Sequence, residues 1–373
     1  MSVDVRKIPY LPALDGVRAV AVLLVVWSHF PYVSDSAISI SIWKIGQALR
    51  VGYFGVDLFF VLSGFLITRI LLNELERTGA ICYRNFFVKR ILRIFPIYYL
   101  CVAVFAACFV WNRDLLLSLL SYTFNWYKPF HVEPIALEHT WSLSVEEQFY
   151  LLWPPLLAVL PGRLRGVTTA VVVPAVSIAI ALGISASFES SLAANIIYMS
   201  TATRMISLSL GAYLALVESS GGSLRTWRSL SVFAAGAVVL LLDNVARGVH
   251  LIAPGGFYWS LALLGYAMVS CGTVATLIFS DGKAVAFVKD VLILRPIRYI
   301  GKISYGLYLY HLLILFLLNI APYQTQDTGT SLWRLTMATV LTFVVAHLSY
   351  RYIELPLLGL KGSLTLKPAP ATA

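Results

Sequence analysis

Charge is scarce in this chain. Of 373 residues only 12% are Asp, Glu, Lys or Arg, while 59% are apolar and the mean hydropathy is +0.81. A soluble domain carries about 25% charged residues, so half that share cannot cover an aqueous surface. The shortage excludes a soluble enzyme and a disordered chain. Cysteine is also sparse: Cys101 and Cys108 share one apolar run, Cys271 lies in another and Cys82 in a basic loop. None has metal-ligand spacing and no disulfide framework is visible, so these read as small buried side chains. Missing too are a Gly-rich dinucleotide loop, a Walker loop, an HExxH pair and a GxSxG elbow in a matching context. Metal chemistry therefore has no support. A cleavable leader is not expected: the run after Arg6 and Lys7 contains Asp15 and Arg18 and has no small-residue cleavage site.

What the chain has instead is long apolar runs. Ten segments are long enough for the ~20 residues that a bilayer requires: 11–33, 51–72, 91–111, 141–160, 167–187, 196–217, 230–247, 258–279, 299–320 and 333–354. Backbone groups in lipid must be satisfied within helices. The expectation is an all-α polytopic membrane protein, a single bundle of about ten transmembrane helices. Residues 1–354 form this domain, and 355–373 form a short cytoplasmic tail expected to be disordered. The span at 196–217 is the weakest, because Arg204 interrupts it. No inverted repeat of the transporter kind is visible.

The net charge of +10 follows topology rather than nucleic acid. With the N-terminus inside, seventeen Lys and Arg fall in inner segments, against five (Lys44, Arg50, Arg113, Lys128, Arg247) in outer ones. That bias predicts both termini in the cytoplasm.

Charges at membrane depth are costly, so they are candidates for function. Arg18 and His29 are eleven residues apart, on one helical face and ~16 Å apart along the axis. Asp15 can pair with Arg18, leaving a purely structural role open, but a neutral imidazole is the natural general base at neutral pH. Arg90 and Arg93, at i and i+3, present two guanidinium forks suited to phosphate; plain positive-inside anchoring is the alternative. In Trp141–Tyr150, Ser142, Glu146 and Tyr150 share a face, and the alternative is an interfacial helix start. Asp57 is a candidate partner for His29 across the bundle, whereas Gly55, Ser63 and Gly64 read as packing residues. Ser304, Tyr308 and His311 make a polar stripe that lines a cavity or joins two helices. His131, His139 and His250 read as surface histidines.

Together these motifs resemble the acyltransferase 3 family of membrane O-acyltransferases. The matching stretches are Leu14–Ala19 with His29, Gly55–Phe65, Arg90–Arg93, Trp141–Tyr150 and Ile303–Tyr308, in the family's order and across the whole chain. The resemblance implies an enzyme of a bacterial inner membrane that takes an acyl group, most often acetyl, from acyl-CoA. The acceptor is a hydroxyl of an extracytoplasmic glycan or lipid-linked sugar. No tightly bound cofactor is implied; the partners are acyl-CoA, the acceptor and membrane lipids, with no nucleic acid. The family's arginine–histidine pattern maps to Arg18 and His29, its donor-binding arginines to Arg90 and Arg93, and its glutamate to Glu146. Longer members carry a further hydrolase-like domain. Since this chain stops soon after the tenth expected span, transfer is expected to finish within the membrane.

The expected mechanism places CoA phosphates on Arg90 and Arg93, helped by Arg18. His29 takes the acceptor's proton, with Glu146 or Asp57 orienting the imidazole. Ser142, Tyr150, Tyr308 and His311 are expected around the acceptor. A secondary transporter or flippase of glycans or lipids is the competing reading.

Overall fold

The computed structural model describes residues 9–33, 36–109, 112–222, 224, 226–248, 256–320 and 330–365. Its elements are helices. α1 (Pro12–His29) opens on a proline, which suits a first turn. α2 (Ala37–Ala48) starts where the Ser36 side chain accepts from the Ser39 amide. α3 (Val51–Thr78) enters from Arg50 at φ 50° and stops at Gly79, whose positive φ of 72° is a glycine conformation. α4 (Tyr83–Cys108) is followed by a folded connection made of α5 (Arg113–Leu120), α6 (Phe124–Tyr127) and two short 3₁₀ turns. α7 (Trp141–Val159), α8 (Gly162–Val167), α9 (Val173–Ser187), α10 (Ser190–Met199) and α11 (Thr201–Ser219) come next. Then follow α12 (Thr226–Gly248), α13 (Gly256–Phe279), α14 (Lys283–Leu292), α15 (Arg295–Lys302), α16 (Ser304–Leu317) and α17 (Leu332–Ser349). α18 (Leu355–Gly359) and α19 (Lys361–Leu364) close the described chain.

Seven described helices are long and apolar enough to cross a membrane, or eight if the bent pair α15 and α16 is one span. The expected ten are therefore not matched. α7 is a helix, but it carries Glu146, Glu147 and Gln148 together with Pro154 and Pro155. The 196–217 segment is not continuous: Ser200, at ψ 133°, separates α10 from α11. The expected span at 299–320 bends by 67° at the break between α15 and α16. The tail expected to be disordered begins as two short helices, and its last residues, 366–373, lie outside the described ones.

α3 is the most buried of the candidate spans, packed between α1, α11 and α13. Small residues let it approach α11: a methyl group on Gly64 would stand 1.9 Å from the Leu208 carbonyl oxygen, and one on Gly211 2.1 Å from that of Val61. This crossing holds a charge pair. Asp57 and Arg204, both fully buried, meet at 2.7 Å, and Ser207 donates a second hydrogen bond to Asp57. The Arg204 guanidinium also faces Phe60 at 5.0 Å and Tyr198 at 5.1 Å. The outward faces of α9, α12 and α17 carry exposed Val176, Ile180, Leu241, Leu242, Val340 and Val344, as a lipid-facing surface requires.

α7 is anchored through Gln148. Its amide donates to the Tyr122 carbonyl and to Asn125 Oδ1, each at 2.9 Å, and its oxygen accepts from Thr201. The α5–α6 connection is thereby fastened to α7 and α11, which fixes where Lys128, Glu138 and His139 stand.

Candidate active site

Among the described residues two cavities of the bundle share a wall, which Val56 and Tyr308 line from both sides. The first, about 90 Å³, is lined by Arg18, Arg90, Arg93, Glu146, Glu147 and Tyr150 among others. The second, about 280 Å³, is lined by His29, His139, Glu138, Lys128 and a group of aromatic rings. α1 contributes to both, Arg18 to the first and His29 to the second.

The arginine cavity gathers its charges from three helices. The i, i+3 spacing on α4 turns Arg90 and Arg93 to one side, and Arg18 arrives from α1. The Arg90 guanidinium lies 5.3 Å over the Tyr150 ring. Three guanidinium groups around one low-dielectric space repel each other, and only Glu146 and Glu147 share it with them. The five charges leave one net positive charge, so the cavity suits an anion. Asp15 is a weak partner for Arg18, its Oδ1 standing 3.9 Å away, and the Tyr10 hydroxyl donates to its Oδ2.

Glu146 belongs to this cavity. Ser63 donates to its Oε1 at 2.6 Å, and the Tyr150 hydroxyl lies 3.4 Å from its Oε2 and 3.2 Å from Ser63 Oγ. The expectation that Glu146 orients His29 is thus corrected: its hydrogen bonds go to Ser63 and Tyr150, at the arginine end. Tyr150 likewise sits beside Arg90 rather than at the acceptor end. Ser63, read as a packing residue, is part of the site. Glu147 lines the same cavity as Glu146.

Asp57 is corrected as well. It was expected to orient His29, but its carboxylate is engaged by Arg204 and Ser207. The carboxylate that shares a cavity with His29 is Glu138. Glu138 is held 3.2 Å from Lys128, which also donates to the Glu133 carbonyl at 2.7 Å.

At the other end stand three histidines. The ring centroids of His29 and His311 are 5.0 Å apart, those of His139 and His311 4.7 Å, and those of His29 and His139 6.4 Å. His139, read from sequence as a surface residue, is only 2% exposed. Neither of its ring nitrogens meets a partner with hydrogen-bonding geometry, although the backbone at Tyr308 and Leu309 passes beside the ring. It lies in the turn before α7, outside the apolar spans. Burial, and next the neighbouring His29, push its imidazole well below the ordinary histidine range. His311 was expected around the acceptor, but it lines neither cavity; it is fully buried against His29.

The bonding of this group fixes a tautomer. His311 Nδ1 lies 2.6 Å from the Tyr308 carbonyl, which can only accept, so Nδ1 carries the proton and Nε2 is an acceptor. That Nε2 lies 3.2 Å from His29 Nδ1, which is also 2.8 Å from the Val25 carbonyl. Two acceptors facing His29 Nδ1 require a proton there and put its lone pair on Nε2.

Tyr308 stands between the two cavities. Its hydroxyl lies 2.5 Å from Ser142 Oγ and donates to the His139 carbonyl at 2.8 Å. Ser142 faces the arginine cavity, so of the four residues expected around the acceptor only Tyr308 borders the histidine cavity. His250 lies outside the described residues, and His131 is stacked on Tyr127 at 3.7 Å.

Residues 11–351 match the acyltransferase domain family, and the chain belongs to it. It is similar to the peptidoglycan O-acetyltransferase OatA of Listeria monocytogenes, at 28% identity over 93% of this chain and 56% of the relative. The putative peptidoglycan O-acetyltransferase YrhL of Bacillus subtilis is 30% identical, over 93% of this chain and 55% of the relative. The O-acetyltransferase OatA of Staphylococcus aureus is 29% identical, over 93% and 57%. The chain spans slightly more than half the length of these relatives. No solved structure matches it.

Proposed function

We propose, from membership of that family, that the chain moves an acetyl group from cytoplasmic acetyl-CoA to a hydroxyl of a cell-wall glycan on the far side of the membrane. The arginine end faces the cytoplasm, as the Lys and Arg bias requires, and both termini lie there. One observation carries the reading: a polybasic cavity and a histidine cavity adjoin through Tyr308 and Val56. The names of the similar acetyltransferases support the glycan acceptor.

In this mechanism the CoA phosphates rest on Arg90, Arg93 and Arg18, and the thioester reaches past Tyr308. The Nε2 lone pair of His29 takes the proton of the acceptor hydroxyl as its oxygen attacks the thioester carbonyl. The tetrahedral intermediate collapses, the C–S bond breaks, and CoA thiolate leaves with the proton returned by the imidazolium. His311 holds His29 in the required tautomer, and the charge of Glu138 favours the imidazolium while it lasts. Membranes containing the protein should consume labelled acetyl-CoA in step with ester formation on the glycan; glycan esters that persist without the protein would overturn the reading.

A second reading, a carrier of glycans or lipids, is favoured by the helix breaks at Ser200 and between α15 and α16, since carriers use discontinuous helices. Carriage needs no thioester, so acetyl-CoA consumption separates the two.

A further inference from the structure

The histidine cavity has a second wall that the proton chemistry does not use. Tyr53 from α3, Tyr198 from α10 and Trp259 from α13 line it together with His29. Their rings touch in a continuous surface: Tyr53 to Tyr198 at 4.7 Å, Tyr53 to Trp259 at 5.3 Å and Tyr198 to Trp259 at 5.5 Å between centroids. Packing aromatics elsewhere in the bundle, such as Phe60, Phe65 and Phe149, are 1% exposed or less. These three rings are each only half-buried. Gln47, whose amide also donates to the Ser28 carbonyl, and Asn195 line the same cavity.

We infer that this wall is a pyranose subsite, which seats one ring of the acceptor glycan on Tyr53, Tyr198 and Trp259 with a hydroxyl turned toward His29. A sugar ring presents apolar C–H faces and a polar rim, and the cavity answers with aromatic faces and amide edges. An alkyl chain fits poorly, because Lys128, Glu138 and Arg50 line the space. A cationic ligand is disfavoured, because the Arg50 guanidinium already sits 4.9 Å over the Trp259 ring. The volume of about 280 Å³ lies near the lower end of small-molecule sites, ~300–1,000 Å³, which suits one ring rather than a long segment. Arg50 reaches this place from a left-handed backbone at φ 50°, sparsely populated for any residue but glycine.

The inference rests on the acyl-transfer reading for its geometry, but it is tested without a donor. The full chain in detergent is titrated with chitotetraose in a calorimeter, with no acetyl-CoA present. The expected result is saturable binding that weakens roughly tenfold in Trp259→Ala, the loss of one aromatic face, and only about twofold in Trp259→Phe. Tyr53→Ala is the second variant if Trp259→Ala does not fold. Absence of saturable binding by the wild-type chain, or equal binding by a folded Ala variant, overturns the subsite. Saccharide binding by a protein that consumes no acetyl-CoA would sink the transfer reading while leaving the subsite standing.

Discussion

His311 Nε2 and His29 Nδ1 face each other at 3.2 Å, across 282 residues of sequence. With His311 Nδ1 bound to the Tyr308 carbonyl, this contact and the Val25 carbonyl together make His29 a donor at Nδ1 and leave its lone pair on Nε2. In the proposed transfer His311 is therefore a positioning residue, and His29 is the base that would meet the acceptor.

Replacing His311 tests that pairing. Gln can still accept a hydrogen bond from His29 Nδ1, whereas Leu cannot. His311→Leu should lower kcat about 10- to 100-fold with little change in the KM for acetyl-CoA. His311→Gln should recover most of the rate. If Leu and Gln behave alike, the contact does not set the tautomer.

Loss of the guanidinium pair should act on the donor. Charge-assisted hydrogen bonds are worth about 1.5–3 kcal/mol each, so Arg90→Ala and Arg93→Ala should each raise the KM for acetyl-CoA at least tenfold. Rising salt should weaken wild-type donor binding further. Calorimetry with acetyl-CoA checks both, and unchanged affinity would return the pair to simple membrane anchoring.

The buried pair should behave as structure. Removing one partner of a buried ion pair costs about 3–5 kcal/mol, so Asp57→Asn and Arg204→Met should each depress thermal unfolding in detergent, and the double variant should regain part of the loss. A folded, stable Asp57→Asn protein without activity would instead restore Asp57 to the chemistry.

Much of this arrangement could be read from the chain, for local reasons. Arg90 and Arg93 share a helical face at i and i+3, and Glu146 and Tyr150 at i and i+4; both pairs line one cavity. What escaped the sequence is long-range. Asp57 was assigned to His29 because both lie near one end of adjacent spans, but its true partner is 147 residues away. Ser63 looked like a small packing residue until α7 brought Glu146 within 2.6 Å. His139 looked superficial because it lies in a polar connection, yet its ring packs against Tyr308 and His311 and is 2% exposed. The count of ten spans is not matched where polar residues and helix breaks interrupt the apolar runs: Glu146 and Glu147 in α7, and Ser200 between α10 and α11.

His139 also sets a dependence on pH. Its imidazole is held neutral in the fold, well below the ordinary histidine range, while the unfolded chain takes up a proton near 6.5. Below that value the unfolded state binds more protons, so stability should fall as pH drops, by at most about 1.4 kcal/mol per pH unit from this residue. Thermal unfolding in detergent at pH 7.5 and pH 5.5 reads the effect. His139→Gln should reduce the difference, and an unchanged difference would contradict the burial.

The proposed vectorial transfer can be tested in one vessel. Proteoliposomes are loaded with a soluble glycan acceptor, sealed, and given labelled acetyl-CoA outside, with the arginine end of the protein facing out. Labelled ester should accumulate on the enclosed glycan with the wild-type chain and fall about 10²- to 10⁴-fold with His29→Ala, the range for losing a general base. Equal labelling by the His29→Ala protein, or label that stays outside, would contradict passage of the acetyl group from the arginines to the histidine.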